Sequence, residues 1–126
     1  MALPRLALGL VAAIGFALGV AACSPSGSGH GIGAGGEPVA TNTVDLPPSY
    51  RFAPAEIAIK AGTTVTWTNH DNFTHSVQLT DGGLPSEPMV MQPGATATFT
   101  FAAAGTYHYQ CHLHPQNMRG TVTVTP

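Results

Sequence analysis

Charge is what this 126-residue sequence has least of: four Lys and Arg and six Asp and Glu make up 8% of the chain, where an ordinary soluble domain carries roughly a quarter. Arg5, Arg51, Lys60 and Arg119 are scattered along the chain, so no phosphate-neutralising stripe forms, and nucleic acid is excluded as a partner. Cysteine is nearly as scarce, with Cys23 and Cys111 alone. No segment repeats its apolar residues at the 3.6-residue period of an amphipathic helix, and no internal repeat is visible. Once the compositionally distinct N-terminal part is set aside, about 90 residues are left for a core. That holds a modest sandwich and leaves no room for a catalytic domain around a bulky organic cofactor. The chain is read as a monomer and not as an enzyme.

The N-terminal part has the form of an export signal. A single Arg5 precedes an apolar run from Leu6 to Ala22 that ends in small residues before Cys23, so residues 1–22 are expected to be a leader rather than a fold element. Val20-Ala21-Ala22-Cys23 resembles the bacterial lipobox, in which the cysteine is acylated. Cys23 is therefore the expected lipidation site and the link to a membrane. A plain transmembrane anchor is the alternative, but the run is diluted by Gly and Ala, and spanning takes about 20 apolar residues. An exported chain with two cysteines also invites a Cys23–Cys111 disulfide. Against it, each cysteine has separate employment: one closes the leader and the other lies in a His-rich motif.

Residues 23–38 are rich in Gly, Ser and Pro and read as a flexible tether, with His30 a solvated residue inside it. From Val39 the pattern changes. Thr64-Val65-Thr66-Trp67-Thr68, Thr96-Ala97-Thr98-Phe99-Thr100-Phe101 and Thr121-Val122-Thr123-Val124-Thr125 alternate Thr with apolar residues, the period-2 signature of half-buried strands. Further strands are expected at Thr41–Leu46, Glu56–Lys60, His75–Leu79 and Thr106–Cys111, separated by Pro-Pro, Ala-Gly, Asp-Gly-Gly and Pro-Gly turns. Seven to eight short strands predict an all-β two-sheet sandwich over residues 39–126. Its expected core is Ile57, Ile59, Val65, Trp67, Val77, Leu79, Phe99, Phe101, Tyr107, Tyr109, Val122 and Val124.

The chemistry is concentrated in Tyr107-His108-Tyr109-Gln110-Cys111-His112-Leu113-His114-Pro115-Gln116-Asn117-Met118-Arg119-Gly120. Alternation puts Cys111 on the inward face with Tyr107 and Tyr109, and turns His108 and His112 outwards. His114 lies in a turn that Pro115 stiffens. A thiolate, an imidazole and a thioether within eight residues are a soft ligand set that favours copper over hard cations. The fourth group must come from elsewhere, and His75, at the start of a strand, is the residue expected to supply it. Two imidazoles and a thiolate roughly in one plane with a weak axial thioether match neither copper state's ideal geometry fully, so little need move when an electron is added.

Phe52-x-Pro54, Gly62-Thr63-Thr64-Val65-Thr66-Trp67-Thr68-Asn69, His75-Ser76-Val77, Pro93-Gly94, Gly105-Thr106-Tyr107-x-Tyr109-x-Cys111-x-x-His114-Pro115 and Met118-x-Gly120 together resemble the cupredoxins, and by pattern plastocyanin, amicyanin and pseudoazurin most. The resemblance runs from about Val39 to Thr125. It implies a Greek-key sandwich with one copper near its end, bound by His75, Cys111 and His114, with Met118 axial. It also implies a type 1 (blue) copper protein that carries single electrons, Cu(I)/Cu(II), between extracytoplasmic redox proteins such as a cytochrome or an oxidase, leaving through the edge of His114. Three residues separate His114 from Met118, against two in amicyanin-like and four in plastocyanin-like loops, so Gln116 remains open as an axial amide.

Rival readings attach to the same residues. Zinc also takes Cys and His, but structural zinc usually draws on more than one thiolate or on paired Cys and His motifs. A copper-binding module for storage, delivery or resistance would use the same ligands without turnover. A copper reductase would need an open coordination position and a proton donor, for which His70 with Asp71 is the only pair at hand. Met89 and Met91 read as packing, as do Trp67 and Tyr109.

Overall fold

The Thr/apolar alternation folds into nine strands in two sheets of a computed structural model that describes residues 36–81 and 86–126. The expected leader, Cys23, His30 and nearly all of the tether lie outside the described residues. The strands are β1 (Val39–Ala40), β2 (Thr43–Leu46), β3 (Glu56–Lys60), β4 (Thr63–Asn69), β5 (His75–Leu79), β6 (Met89–Met91), β7 (Thr96–Phe101), β8 (Gly105–Gln110) and β9 (Arg119–Thr125). All regular structure among the described residues is strand. The count exceeds the seven to eight expected because the two-residue β1 pairs with β3 ahead of the expected first strand and because the three-residue β6 pairs with β5.

One sheet has the order β1-β3-β9-β8-β5-β6 and the other β2-β4-β7. Both are mixed: β1 with β3, β3 with β9 and β2 with β4 run parallel, and the remaining pairs antiparallel. Parallel neighbours require long connections across the sandwich, so β3 and the C-terminal β9 lie side by side although β4 to β8 run between them. The threonines face outward. Thr64 and Thr100 meet at 2.7 Å between hydroxyls across β4 and β7, while Val65 and Trp67 on the other face of β4 are fully buried.

Ten of the twelve expected core residues are buried; the exceptions are Phe99 and Tyr107, which are half-buried. Phe99 lies on β7, an edge strand of the smaller sheet, where its ring packs edge-on against Phe101 at 4.9 Å between centroids. Tyr107 turns its hydroxyl to the surface and donates to the Ala103 carbonyl at 2.9 Å. Val44, Leu46, Phe52, Met91, Cys111 and Met118 complete the core.

The β6–β7 turn braces the end of β4. Gly94 adopts φ +82 there, a left-handed conformation that glycine takes without steric cost. Its N–H donates to the Asn69 carbonyl at 2.8 Å, pinning the turn to the point where the loop leading to His75 begins.

Candidate metal centre

Asn69 ends β4 fully buried, and a buried amide must spend its hydrogen bonds locally. Its Nδ2 donates to the carbonyls of Phe73 at 2.8 Å and Met91 at 3.0 Å, and its Oδ1 accepts the Asp71 N–H at 3.0 Å. The loop 70–74 is thereby folded back on itself, and His75 enters β5 with its ring inside the protein. The Asp71 carboxylate ends 2.8 Å from His75 Nε2, with both side chains buried. This hydrogen bond holds the Asp71 carboxyl below the usual carboxylate range, aided by the Asn72 N–H and opposed by burial. A carboxylate on one ring nitrogen fixes the tautomer and leaves Nδ1 as the bare donor.

Cys111 follows the last residue of β8 and keeps that strand's inward face, as alternation predicts. The ladder between β5 and β8 runs only through Leu79↔Tyr109 and Gln78↔Gln110. One residue past that ladder the sulfur takes a backbone donor, the Ser76 N–H at 3.3 Å. The loop after it is tied at both ends: Cys111 N–H donates to the Met118 carbonyl at 3.0 Å, and Met118 N–H to the His114 carbonyl at 3.0 Å. Within it His114 N–H reaches the Cys111 carbonyl at 3.2 Å, and outside it Arg119 Nε donates to the Pro115 carbonyl at 2.7 Å.

The result is convergence. Cys111 Sγ stands 4.0 Å from His75 Nδ1 and 3.7 Å from His114 Nδ1, and one donor atom from each of the three residues lies within 4.8 Å of the others. Donor atoms about 2.0–2.3 Å from a shared ion stand about 3.5–4 Å apart in a trigonal plane, so the three fit a single ion. His75 and Cys111 are fully buried, while His114 is half-buried. Met118 is fully buried directly after this loop, whereas Gln116 is exposed.

Residues 39–125 match the profile of the copper binding proteins, plastocyanin/azurin family. The chain belongs to that family. It is 37% identical to a plastocyanin of Scenedesmus fuscus over 83 residues, 58% of this chain and 85% of the relative. It is 36% identical to an amicyanin of Paracoccus denitrificans over 77 residues, covering 59% of this chain and 58% of that protein. Among solved structures, a purple cupredoxin from Nitrosopumilus maritimus superposes with a TM-score of 0.61 at 28% identity, over 68% of this chain and all of the other. The protein is thus a cupredoxin with copper as its cofactor, and its three-donor cluster suits that soft ion.

Among the described residues, the other sequence histidines contribute no donor atom to this cupredoxin cluster. His108 and His112 are exposed on the outward face, as expected, and His108 pairs with Asp81. His70 is exposed and pairs with Asp45 at 2.5 Å. The His70–Asp71 pair weighed for a reductase does not form, because the carboxylate turns inward to His75 instead. Met91 is buried and Met89 half-buried, both as packing.

Three residues of the site carry no sequence pattern that announces them. Asp71 is buried because loop 70–74 folds inward, and Ser76, on β5, is buried beside Cys111. Tyr50 lies in the Pro-Pro-Ser-Tyr turn, where Ser49 and Tyr50 take φ of 114 and 53. Left-handed backbone at such residues costs on the order of 1–3 kcal/mol each. In return the Tyr50 ring packs edge-on against His114 at 4.7 Å and His75 at 5.7 Å between centroids, and stacks on exposed Phe73 at 5.5 Å.

Tyr109 is held by a close approach. A Cβ on Gly120 would press on the Tyr109 ring and stand 2.6 Å from the Ala55 carbonyl, to which the Tyr109 hydroxyl donates at 3.1 Å. Glycine therefore lets β8 and β9 close beside the site, and burial pushes the Tyr109 phenol up.

Proposed function

We propose that His75, Cys111 and His114 are the strong copper ligands, with Met118 axial, and that the protein carries single electrons between extracytoplasmic redox proteins. The observation that carries this reading is the meeting of two imidazole nitrogens and one sulfur, from segments more than 30 residues apart in sequence, within 4.8 Å. Copper bound there supplies a one-electron Cu(I)/Cu(II) couple.

The chain's own contribution is rigidity and exclusion of water. His75 is locked by Asp71, Cys111 by the Ser76 N–H, and the loop carrying His114 by its paired ends. Ligands already held in place favour small rearrangement between the two oxidation states. Of the three, His114 alone is not fully buried, which supports its ring edge as the way in and out for the electron. Phe73 and Leu113, 54% and 46% exposed, leave apolar surface close to it in sequence and through Tyr50. With only a net charge of −2 on the whole chain, docking there depends little on salt.

The lipid at Cys23, the tether over residues 23–38 and the domain over 39–126 complete the proposal: a monomer held at the outer side of a membrane, near partners such as a cytochrome or an oxidase. Metabolic labelling with a fatty acid tests the anchor, and Cys23→Ser should abolish both label and membrane retention. For the carrier role, the copper-loaded protein should give a reversible one-electron wave in voltammetry and exchange electrons rapidly with a cytochrome. Transfer of the metal itself to an apo-acceptor, without such exchange, would mark a delivery module instead.

A further inference from the structure

The sulfur of Cys111 has a second potential hydrogen-bond donor that the geometry assigns elsewhere. Ser76 is fully buried beside it. Its hydroxyl oxygen lies 3.7 Å from Cys111 Sγ, 3.0 Å from the His112 backbone nitrogen and 2.6 Å from His112 Nδ1. A serine hydroxyl has two lone pairs and one proton. The His112 backbone N–H can only donate, so it takes one lone pair, and two acceptors then compete for the proton.

The competition is unequal. An oxygen and a nitrogen 2.6 Å apart must share a proton, and a neutral imidazole whose exposed Nε2 keeps its own hydrogen presents Nδ1 bare. A bond to sulfur at 3.7 Å is long and weak beside it. We propose that His112 carries its ring hydrogen on Nε2 and is thereby a positioning residue that withholds the Ser76 proton from the Cys111 sulfur and keeps the reduction potential of the copper site low. Hydrogen bonds donated to a ligating thiolate draw electron density from it and favour the reduced metal. With His112 in place, the Ser76 backbone N–H at 3.3 Å is the only donor of that residue that reaches the sulfur.

The inference rests on copper ligation by Cys111, and a double-mutant cycle tests it separately from that ligation. Potentials of the copper-loaded protein are measured at one fixed alkaline pH, where imidazoles are neutral. His112→Ala, at an exposed position, should shift the equilibrium towards Cu(I) by about tenfold, which is about 59 mV for a one-electron couple. Ser76→Ala alone should leave the potential near that of the parent, and the double variant should return to the parent value. Ser76→Thr, which keeps the hydroxyl, guards against misfolding and should behave as the parent.

A second readout does not need the double variant. The copper–sulfur stretch of His112→Ala in resonance Raman should show a larger solvent-deuterium shift than the parent, whose sulfur takes only the Ser76 backbone N–H from that residue. An unmoved potential in His112→Ala, an equal shift in His112→Ala and the double variant, or a lowered potential in Ser76→Ala alone would each overturn the role of His112. A parent protein that takes up Cu(II) with no thiolate band would instead overturn ligation by Cys111.

Discussion

Asp71 and His75 stand carboxylate to imidazole, 2.8 Å apart and both buried, on the side of the ring away from Cys111. The pair aims Nδ1 at the metal position and places a negative charge behind the ring. Asp71→Asn keeps an oxygen that accepts the ring N–H and removes the charge, so its reduction potential should rise while copper is still held. Asp71→Ala frees the ring and should weaken Cu(II) binding about 10- to 100-fold. Voltammetry and competitive metal titration measure the two effects, and equal behaviour of both variants would show that only the charge matters and the hydrogen bond does not.

Met118 and Gln116 divide the axial question by burial. The thioether is enclosed and the amide faces solvent. Met118→Leu should retain the visible band and shift the potential, because an axial ligand tunes the couple without making the main bonds. Gln116→Ala should change neither. The reverse pattern would give the axial position to the amide.

Gly120→Ala places a methyl group against the Tyr109 ring and the Ala55 carbonyl. Overpacking of this kind costs about 1–3 kcal/mol. Since the crowded atom on one side is backbone, the strain cannot be relieved by a rotamer change alone. Denaturant unfolding of the apo-protein should show that loss, and a variant as stable as the parent would mean that β8 and β9 separate freely there.

Most of the fold was legible because strand alternation is a local signal. β3, β5 and β7 keep their expected ends, and β2, β4, β8 and β9 shift by at most one or two residues. β1 and β6 were not legible: Val39–Ala40 is strand only because β3 lies beside it, and Met89–Met91 only because β5 does. Cys111 and His114 were readable from one short motif, and His75 from its place at the head of β5. Asp71 was not, since a polar residue in a loop looks solvated until Asn69 folds that loop inward, and Ser76 was not, since alternation along β5 turns it away from the face of His75 and Val77. Tyr50 was hidden for another reason: its position depends on left-handed backbone at Ser49 and Tyr50, which no turn signature at a Ser-Tyr pair predicts.

Copper ligation by Cys111 is tested most directly by adding Cu(II) to the purified apo-protein and recording visible absorption and electron paramagnetic resonance. An intense blue to blue-green band from charge transfer between the Cys111 thiolate and copper is expected, absent in Cys111→Ser. A colourless copper complex, or a band that survives loss of Cys111, would refute a thiolate-bound copper centre.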